Sequence, residues 1–253
     1  MTGTAQREAR RLIRRTADGA DVGAIVFDPQ RIPQPDDGWF DPAHWGAAAT
    51  PVTQGGRGAA WLIEASSGPM VLRHYRRGGW AARISRDRYW WHDEDTVRSV
   101  AEFRLTAHLH AAGLPVPAPL AAAYWREGGS YRAAILLQRL PNVQSLASLL
   151  QTDADWPWPA TGALLARFHR HGLDHADLNA TNILFDAAQA GWLIDFDRCR
   201  MRSAAGPTHW RQRNLQRLRR SLHKLRGPRS LAQVDARFRQ LQLAYAAAME
   251  QGA

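Results

Sequence analysis

The stretch from His175 to Arg198 reads HADLNATNILFDAAQAGWLIDFDR, and three of its side chains have types and spacing that could do chemistry. Asp177 lies in a polar loop, Asn182 follows five residues later, and Asp195 closes the next apolar run. A loop carboxylate can orient a hydroxyl and accept its proton. An amide oxygen and a second carboxylate are hard ligands of the kind Mg²⁺ takes. Asp and Asn also populate ordinary turns, and each residue alone reads that way. The joint spacing does not, because a base and two oxygen ligands at fixed separation are the parts that phosphoryl transfer needs. His175 reads as a structural residue of the loop.

The elements that must position these groups are short. Ile183-Leu184-Phe185 and Trp192-Leu193-Ile194 predict the strands of a hairpin. Thr161 to His171 predicts a helix with Leu164, Leu165 and Phe168 on one side, which feeds the loop. Trp156-Pro157-Trp158-Pro159 interrupts the chain between it and a helix that begins at Ser145 to Leu150. Upstream, Trp61 to Glu64 and Met70 to Arg73 predict strands. Gln54 to Trp61, QGGRGAAW, is a glycine-rich turn whose Gly55, Gly56 and Gly58 would let backbone N–H groups approach phosphates. Thr96 to Ala111 predicts a helix with Val97, Val100, Phe103, Leu105 and Leu109 near one face, ended by Gly113. Leu114 to Pro119 is an extended connector, and Ala133 to Leu137 is a further strand. Residues 1–50 predict one short strand near Ala24 to Phe27 and loops, with His44 and Trp45 as packing residues.

The loop resembles the H-x-D-L-x-x-x-N loop of protein-kinase-like phosphotransferases, followed by an Asp at the end of the next strand. The resemblance implies a bilobal α+β fold. An N-terminal antiparallel sheet lobe with one helix would span residues 1–138, and a mainly helical C-terminal lobe residues 139–253. It implies Asp177 as the catalytic carboxylate, Asn182 and Asp195 as Mg²⁺ ligands, and Gly55, Gly56 and Gly58 as the cover of the ATP phosphates. Arg73 occupies the place of the strand lysine that holds the α- and β-phosphates. Arginine keeps the charge and adds a fork of donors suited to phosphate. Glu102, inside the predicted helix, would pair with it, and Gln138 to Pro141 would be the hinge against which adenine stacks. Three departures stand out: Arg73 for lysine, Trp61 for the third loop glycine, and Asp197 for the glycine of D-F-G.

Composition narrows the partners. The formal net charge is +10, which suits a polyanionic neighbour: nucleic acid, an anionic membrane or a phosphorylated substrate. Trp80 to Asp95 is basic and aromatic and predicts an acceptor-binding or membrane-contacting surface. Thr208 to Arg226 carries seven Arg or Lys and no acid, with Trp210, Leu215, Leu218, Leu222 and Leu225 near helical spacing. Leu231 to Tyr245 predicts a last core-packed helix. The single cysteine, Cys199, excludes an internal disulfide and reads as a packing residue. No signal peptide is evident. The longest uncharged run, Leu105 to Trp125, contains three prolines and two histidines and does not read as a membrane span.

HADLNATNILFD, WLIDFDR, VLRHYRRGG with SRDRYWW, and EFRLTAHLHAAGLPVPAP together resemble the 3-deoxy-D-manno-octulosonic acid (Kdo) kinases. These are lipopolysaccharide-core sugar kinases of Gram-negative bacteria, related to the heptose kinases. The resemblance covers residues 55–222. It implies transfer of the ATP γ-phosphate to the 4-hydroxyl of Kdo on a lipid A precursor, by a peripheral protein at the cytoplasmic face of the inner membrane. The implied partners are that anionic glycolipid and the anionic membrane surface, with no nucleic acid. Aminoglycoside and choline kinases act on cations, which the Arg-rich segments disfavour. A protein kinase would need an A-P-E segment and room for an activation loop, and neither is apparent. A binding protein on a decayed kinase fold would not need Asp177, Asn182 and Asp195 together.

Overall fold

The computed structural model describes residues 8–14, 21–52, 60–76, 87–152, 157–203 and 206–251. The chain forms two compact units, Met1–Ala111 with Pro117–Arg139, and Ala112–Val116 with Leu140–Ala253. The first is built on an antiparallel sheet and the second is mainly helical, the two lobes of a protein-kinase-like α+β fold.

The sheet unit contains β1 (Ala9–Arg14), β2 (Asp21–Phe27), β3 (Ala49–Pro51), β4 (Ala60–Ala65), β5 (Gly68–His74), β6 (Tyr89–Trp90), β7 (Pro119–Glu127) and β8 (Ser130–Gln138), with helices α1 (Pro42–Trp45) and α2 (Arg98–Ala111). Its order is β1-β2-β7-β8-β5-β4-β3, and β6 adds to β8. Strand alternation makes two cores. Ile25, Phe27, Ile63, Met70, Leu72 and Leu136 point to one face. Ala24, Val26, Val100, Phe103, Ala122 and Ile135 fill the other, where α2 lies. Among the described residues, 1–50 supply β1, β2, the short helix α1 and the start of β3 where one strand and loops were expected. The additional β1 carries Arg10, Arg11 and Arg14 on the sheet edge, charges that discourage pairing with another chain.

The central strand β7 was not expected either. Ala121, Ala122 and Ala123 have low strand propensity, but all three are fully buried between neighbouring strands, Ala122 under α2 and Ala121 and Ala123 in the opposite core. Ser99 Oγ donates to the Ala123 carbonyl at 2.9 Å, which fixes α2 on that strand. In the predicted surface segment, Trp80 to Asp95, residues 80–86 lie outside the described residues. Beyond them, Trp90 is 81% exposed. Trp91 instead stacks on Tyr124 at 5.2 Å, with the Arg126 guanidinium 4.3 Å over its ring, and is a packing residue.

The helical unit contains β9 (Gln144–Ser145), α3 (Leu146–Leu149), α4 (Trp158–Arg170), β10 (Leu173–Asp174), β11 (Ile183–Phe185), β12 (Gly191–Leu193), β13 (Arg200–Met201), α5 (His209–Lys224) and α6 (Leu231–Glu250). Helix α4 begins three residues earlier than expected, because Pro159 falls in its first turn, where no backbone donor is required. It packs on α6 through Gly162, where a Cβ would meet the Leu241 carbonyl oxygen at 2.2 Å. Ser230 and Gln233 form a capping box that starts α6. Strands β9, β11 and β12 form one small sheet, and β10 pairs with β13.

His169 of α4 is buried among α5 and α6, with Nδ1 2.8 Å from Tyr245 Oη and its ring against Trp210. Burial, helped by the Arg211 charge, lowers its pKa to about 4. Burial also raises the Tyr245 pKa, so the phenol keeps its proton. The unfolded chain therefore takes up a proton near pH 6.5 that the folded protein refuses. The protein should lose stability as pH falls from about 6.5 to about 4, by about 3 kcal/mol from this residue. Urea unfolding across that range should show a flatter pH dependence in His169→Gln than in the wild type. Equal slopes would contradict the assignment.

Candidate active site

His175 organises the loop that carries Asp177. It is fully buried, and burial lowers its pKa, so the ring is neutral. Nδ1 lies 3.3 Å from the Asp177 N–H and Nε2 lies 3.2 Å from the Ile194 carbonyl. A backbone N–H can only donate and a carbonyl can only accept, which assigns the proton to Nε2. One ring thus ties the loop to the residue before Asp195. The ring also lies 5.6 Å from the buried Phe196, which stacks on Phe168 of α4.

The Asn182 amide is oriented by its own loop. Its Nδ2 donates to the Asp177 carbonyl at 2.9 Å, so Oδ1 is the atom it can offer as an oxygen donor. Ile194 N–H donates to the Asn182 carbonyl at 3.1 Å, and Ile183 pairs with Leu193 just beyond. Asn182 and Asp195 are thereby brought to the same end of the β11–β12 hairpin. Asp195 adopts φ +65°, a left-handed conformation that costs a non-glycine residue energy and is frequent at functional sites. Asn179 Nδ2 donates to Asp177 Oδ2 at 3.0 Å and holds that carboxylate. Cys199 Sγ accepts from Ala176 N–H at 3.2 Å, a packing contact between the two segments.

Two oxygen donors on one hairpin suit a hard divalent cation, with water and phosphate oxygens completing its shell. Among the described residues no group of three or more His, Cys, Asp or Glu is arranged to hold a metal.

Helix α5 supports the loop from behind. Asn214, itself buried, accepts from His175 N–H at 2.9 Å and donates to Asp174 Oδ1 at 2.8 Å and to the Trp210 carbonyl at 3.0 Å. Arg217 Nη1 donates to the His175 carbonyl at 3.2 Å, and Ser221 Oγ accepts from Ala180 N–H at 3.1 Å. Burial pushes the Asp174 carboxyl up, but the bonds from Arg202 and Asn214 and the charges of Arg202 and Arg213 hold it below its usual range.

In the sheet unit, Arg73 and Glu102 form an ion pair between β5 and α2. Glu102 is only 2% exposed and also accepts from the Tyr75 hydroxyl on the same Oε2. The Arg73 guanidinium lies 5.0 Å from the Tyr75 ring centroid. Gly55, Gly56 and Gly58 lie outside the described residues.

Residues 43–245 match the lipopolysaccharide kinase (Kdo/WaaP) family. A protein of Xanthomonas campestris pv. campestris (strain B100), 3-deoxy-D-manno-octulosonic acid kinase, is 56% identical over 236 residues, 93% of this chain and 94% of the relative. Proteins of the same name from Stenotrophomonas maltophilia (strain K279a) and Xanthomonas oryzae pv. oryzae (strain PXO99A) are 55% and 56% identical, each over 93% of this chain and 94% of the relative. The chain belongs to the lipopolysaccharide kinase (Kdo/WaaP) family. It is a kinase.

In this lipopolysaccharide kinase, the sequence reading brought out Asp177, Asn182 and Asp195 in one unit and the Arg73–Glu102 pair in the other. It missed Tyr75, Asn179, Asn214 and Ser221. Asn214 had a detectable signal: Trp210, Asn214, Leu218 and Leu222 form one stripe at i, i+4 spacing, with a single amide among apolar residues. Asn214→Ala should leave the His175 N–H without its acceptor and cost about 1–3 kcal/mol of stability. Turnover should fall with it. Unchanged urea unfolding together with unchanged turnover would contradict the clamp.

Proposed function

We propose that this kinase transfers the γ-phosphoryl group of ATP to the 4-hydroxyl of the Kdo residue on a Kdo-lipid A precursor. The observation that carries the reading is the 56% identity over 93% of the chain to proteins named 3-deoxy-D-manno-octulosonic acid kinase. The arrangement around Asp177 supports it chemically.

Asp177, with one oxygen held by Asn179, orients the sugar hydroxyl and accepts its proton. The hydroxyl oxygen bonds to the γ-phosphorus as the bond to the ADP oxygen breaks, and the proton ends on the Asp177 carboxylate. Asn182 Oδ1 and the Asp195 carboxylate would hold Mg²⁺. When bound, this ion neutralises charge that develops on the phosphate oxygens. Arg73 directs its guanidinium to the α- and β-phosphates, restrained by Glu102 and Tyr75. The acceptor lies in the inner membrane, so the enzyme works as a peripheral protein at its cytoplasmic face. A charge of +10 supports attraction to an anionic leaflet and to an anionic glycolipid. No helix among the described residues is long and apolar enough to cross a membrane.

The test is incubation with γ-labelled ATP, Mg²⁺ and, separately, a Kdo-lipid A precursor, a heptosylated core or an aminoglycoside. Label should appear on the Kdo 4-position, and Asp177→Asn should retain nucleotide binding while losing about 10²- to 10⁴-fold in turnover. Label on heptose or on the aminoglycoside would overturn the acceptor assignment. Near-normal turnover by Asp177→Asn would overturn the role of Asp177.

A further inference from the structure

The two flanks of α5 treat their cations differently. On the flank toward α6, Arg219 donates to Asp235 through Nε at 2.8 Å and Nη2 at 3.0 Å, and His223 Nε2 lies 2.7 Å from the same carboxylate. Those contacts, Arg219 first, hold the Asp235 carboxyl well below its usual range. The opposite flank carries Arg213, Arg217, Arg220 and Lys224 at spacings of four, three and four residues, which is one helical stripe. Arg213, Arg220 and Lys224 are exposed, and among the described residues none of the three has a carboxylate partner. Arg217, in the middle of the stripe, donates to the carbonyl of His175, two residues before Asp177. Asn214 and Ser221 bond His175 and Ala180 from the adjoining edge of the helix, so the loop from 175 to 180 runs along this flank. Arg213 is close enough to act on the charge of Asp174.

Four cations aligned beside this loop repel one another, and among the described residues none of them gains a salt bridge in return. Such an arrangement is stabilised by an external anion, and arginine binds phosphate and carboxylate through paired donors. The sequence alone leaves this helix open between a solvated basic face and a face for anionic lipid or a phosphate-rich substrate. A helix held face-on against the membrane would have no reason to place the middle cation of its stripe on the backbone of the loop.

We propose that Arg213, Arg220 and Lys224, with Arg217 at the base, form a subsite on the loop-side flank of α5 that engages a phosphate or carboxylate of the acceptor and brings its hydroxyl to Asp177. This inference rests on the Proposed function for the nature of the acceptor.

The test compares the wild type with Arg213→Gln/Arg220→Gln/Lys224→Gln, leaving Arg217 in place. Arg237→Gln/Arg239→Gln, on the exposed surface of α6, controls for lost net charge. Initial rates are measured with ATP and detergent-dispersed Kdo-lipid A precursor. The KM for the acceptor should rise about tenfold or more in the triple variant, the loss expected for at least one charge-assisted contact. The KM for ATP should be unchanged, and the control should behave as wild type. A precursor from which the phosphates have been removed should show a smaller difference between wild type and variant if phosphate is the group bound. An undiminished difference assigns the contact to the carboxylate. An unchanged acceptor KM would overturn the subsite. So would a parallel rise in the ATP KM, which would assign the stripe to the nucleotide. An effect confined to acceptor embedded in anionic vesicles, absent in detergent, would also overturn it and return the stripe to membrane binding. Failure of the wild type to phosphorylate the precursor is a different result, since it overturns the Proposed function itself.

Discussion

A single neutral imidazole holds the chemistry-bearing part of this protein together. His175 is fully buried, and both ring nitrogens are used, one to receive the Asp177 N–H and the other to donate to the Ile194 carbonyl. Protonation would place a second hydrogen on Nδ1, facing that N–H, and would charge a group with no access to water. The loop and the strand end at Asp195 therefore share one geometric constraint. Asn182 adds a second link in parallel, through its amide to Asp177 and its carbonyl to Ile194. Two short, independent ties explain how a non-glycine residue is kept at φ +65° at Asp195.

Helix α5 makes that constraint part of the fold. Its apolar stripe is anchored by Trp210, Leu218 and Leu222, and Asn214 on the same stripe converts packing energy into the position of the His175 backbone. The buried amide is satisfied on both sides, which is the condition under which a buried polar group rigidifies a site instead of weakening it. The same helix then has one cation flank neutralised by Asp235 and one left beside the loop. Fold support and acceptor chemistry can thus reside in one element, because they use different faces of it.

Much of this was legible in the sequence where the determinants are local. The Asp177, Asn182 and Asp195 spacing and the two apolar triplets of the hairpin lie within one stretch of the chain, and alternation and loop chemistry act over that range. The Arg73–Glu102 pair was inferable only through the kinase resemblance, in which a helix glutamate pairs with the basic residue of the strand. The central strand β7 was not, since Ala121 to Ala123 carry no strand propensity and owe their conformation to neighbours on both sides. Asn214 and Ser221 were hidden for a related reason. The α5 stripe marks Asn214 as a buried amide, but the backbone groups that it and Ser221 bind, of His175 and Ala180, lie 39 and 41 residues away and leave no trace in side-chain spacing. The start of α4 was misjudged because two prolines were read as breakers when one of them occupies a first turn that tolerates it.

The protonation state of His175 decides whether the loop is held in this way, and nitrogen NMR of histidine-labelled protein observes it directly. The account predicts a His175 ring with Nε2 protonated and Nδ1 bare, and no titration between about pH 8 and pH 6, where an exposed histidine would begin to charge. A ring that titrates near 6.5, or one that carries its proton on Nδ1, would mean that His175 does not accept from the Asp177 N–H. The loop would then lack the constraint described.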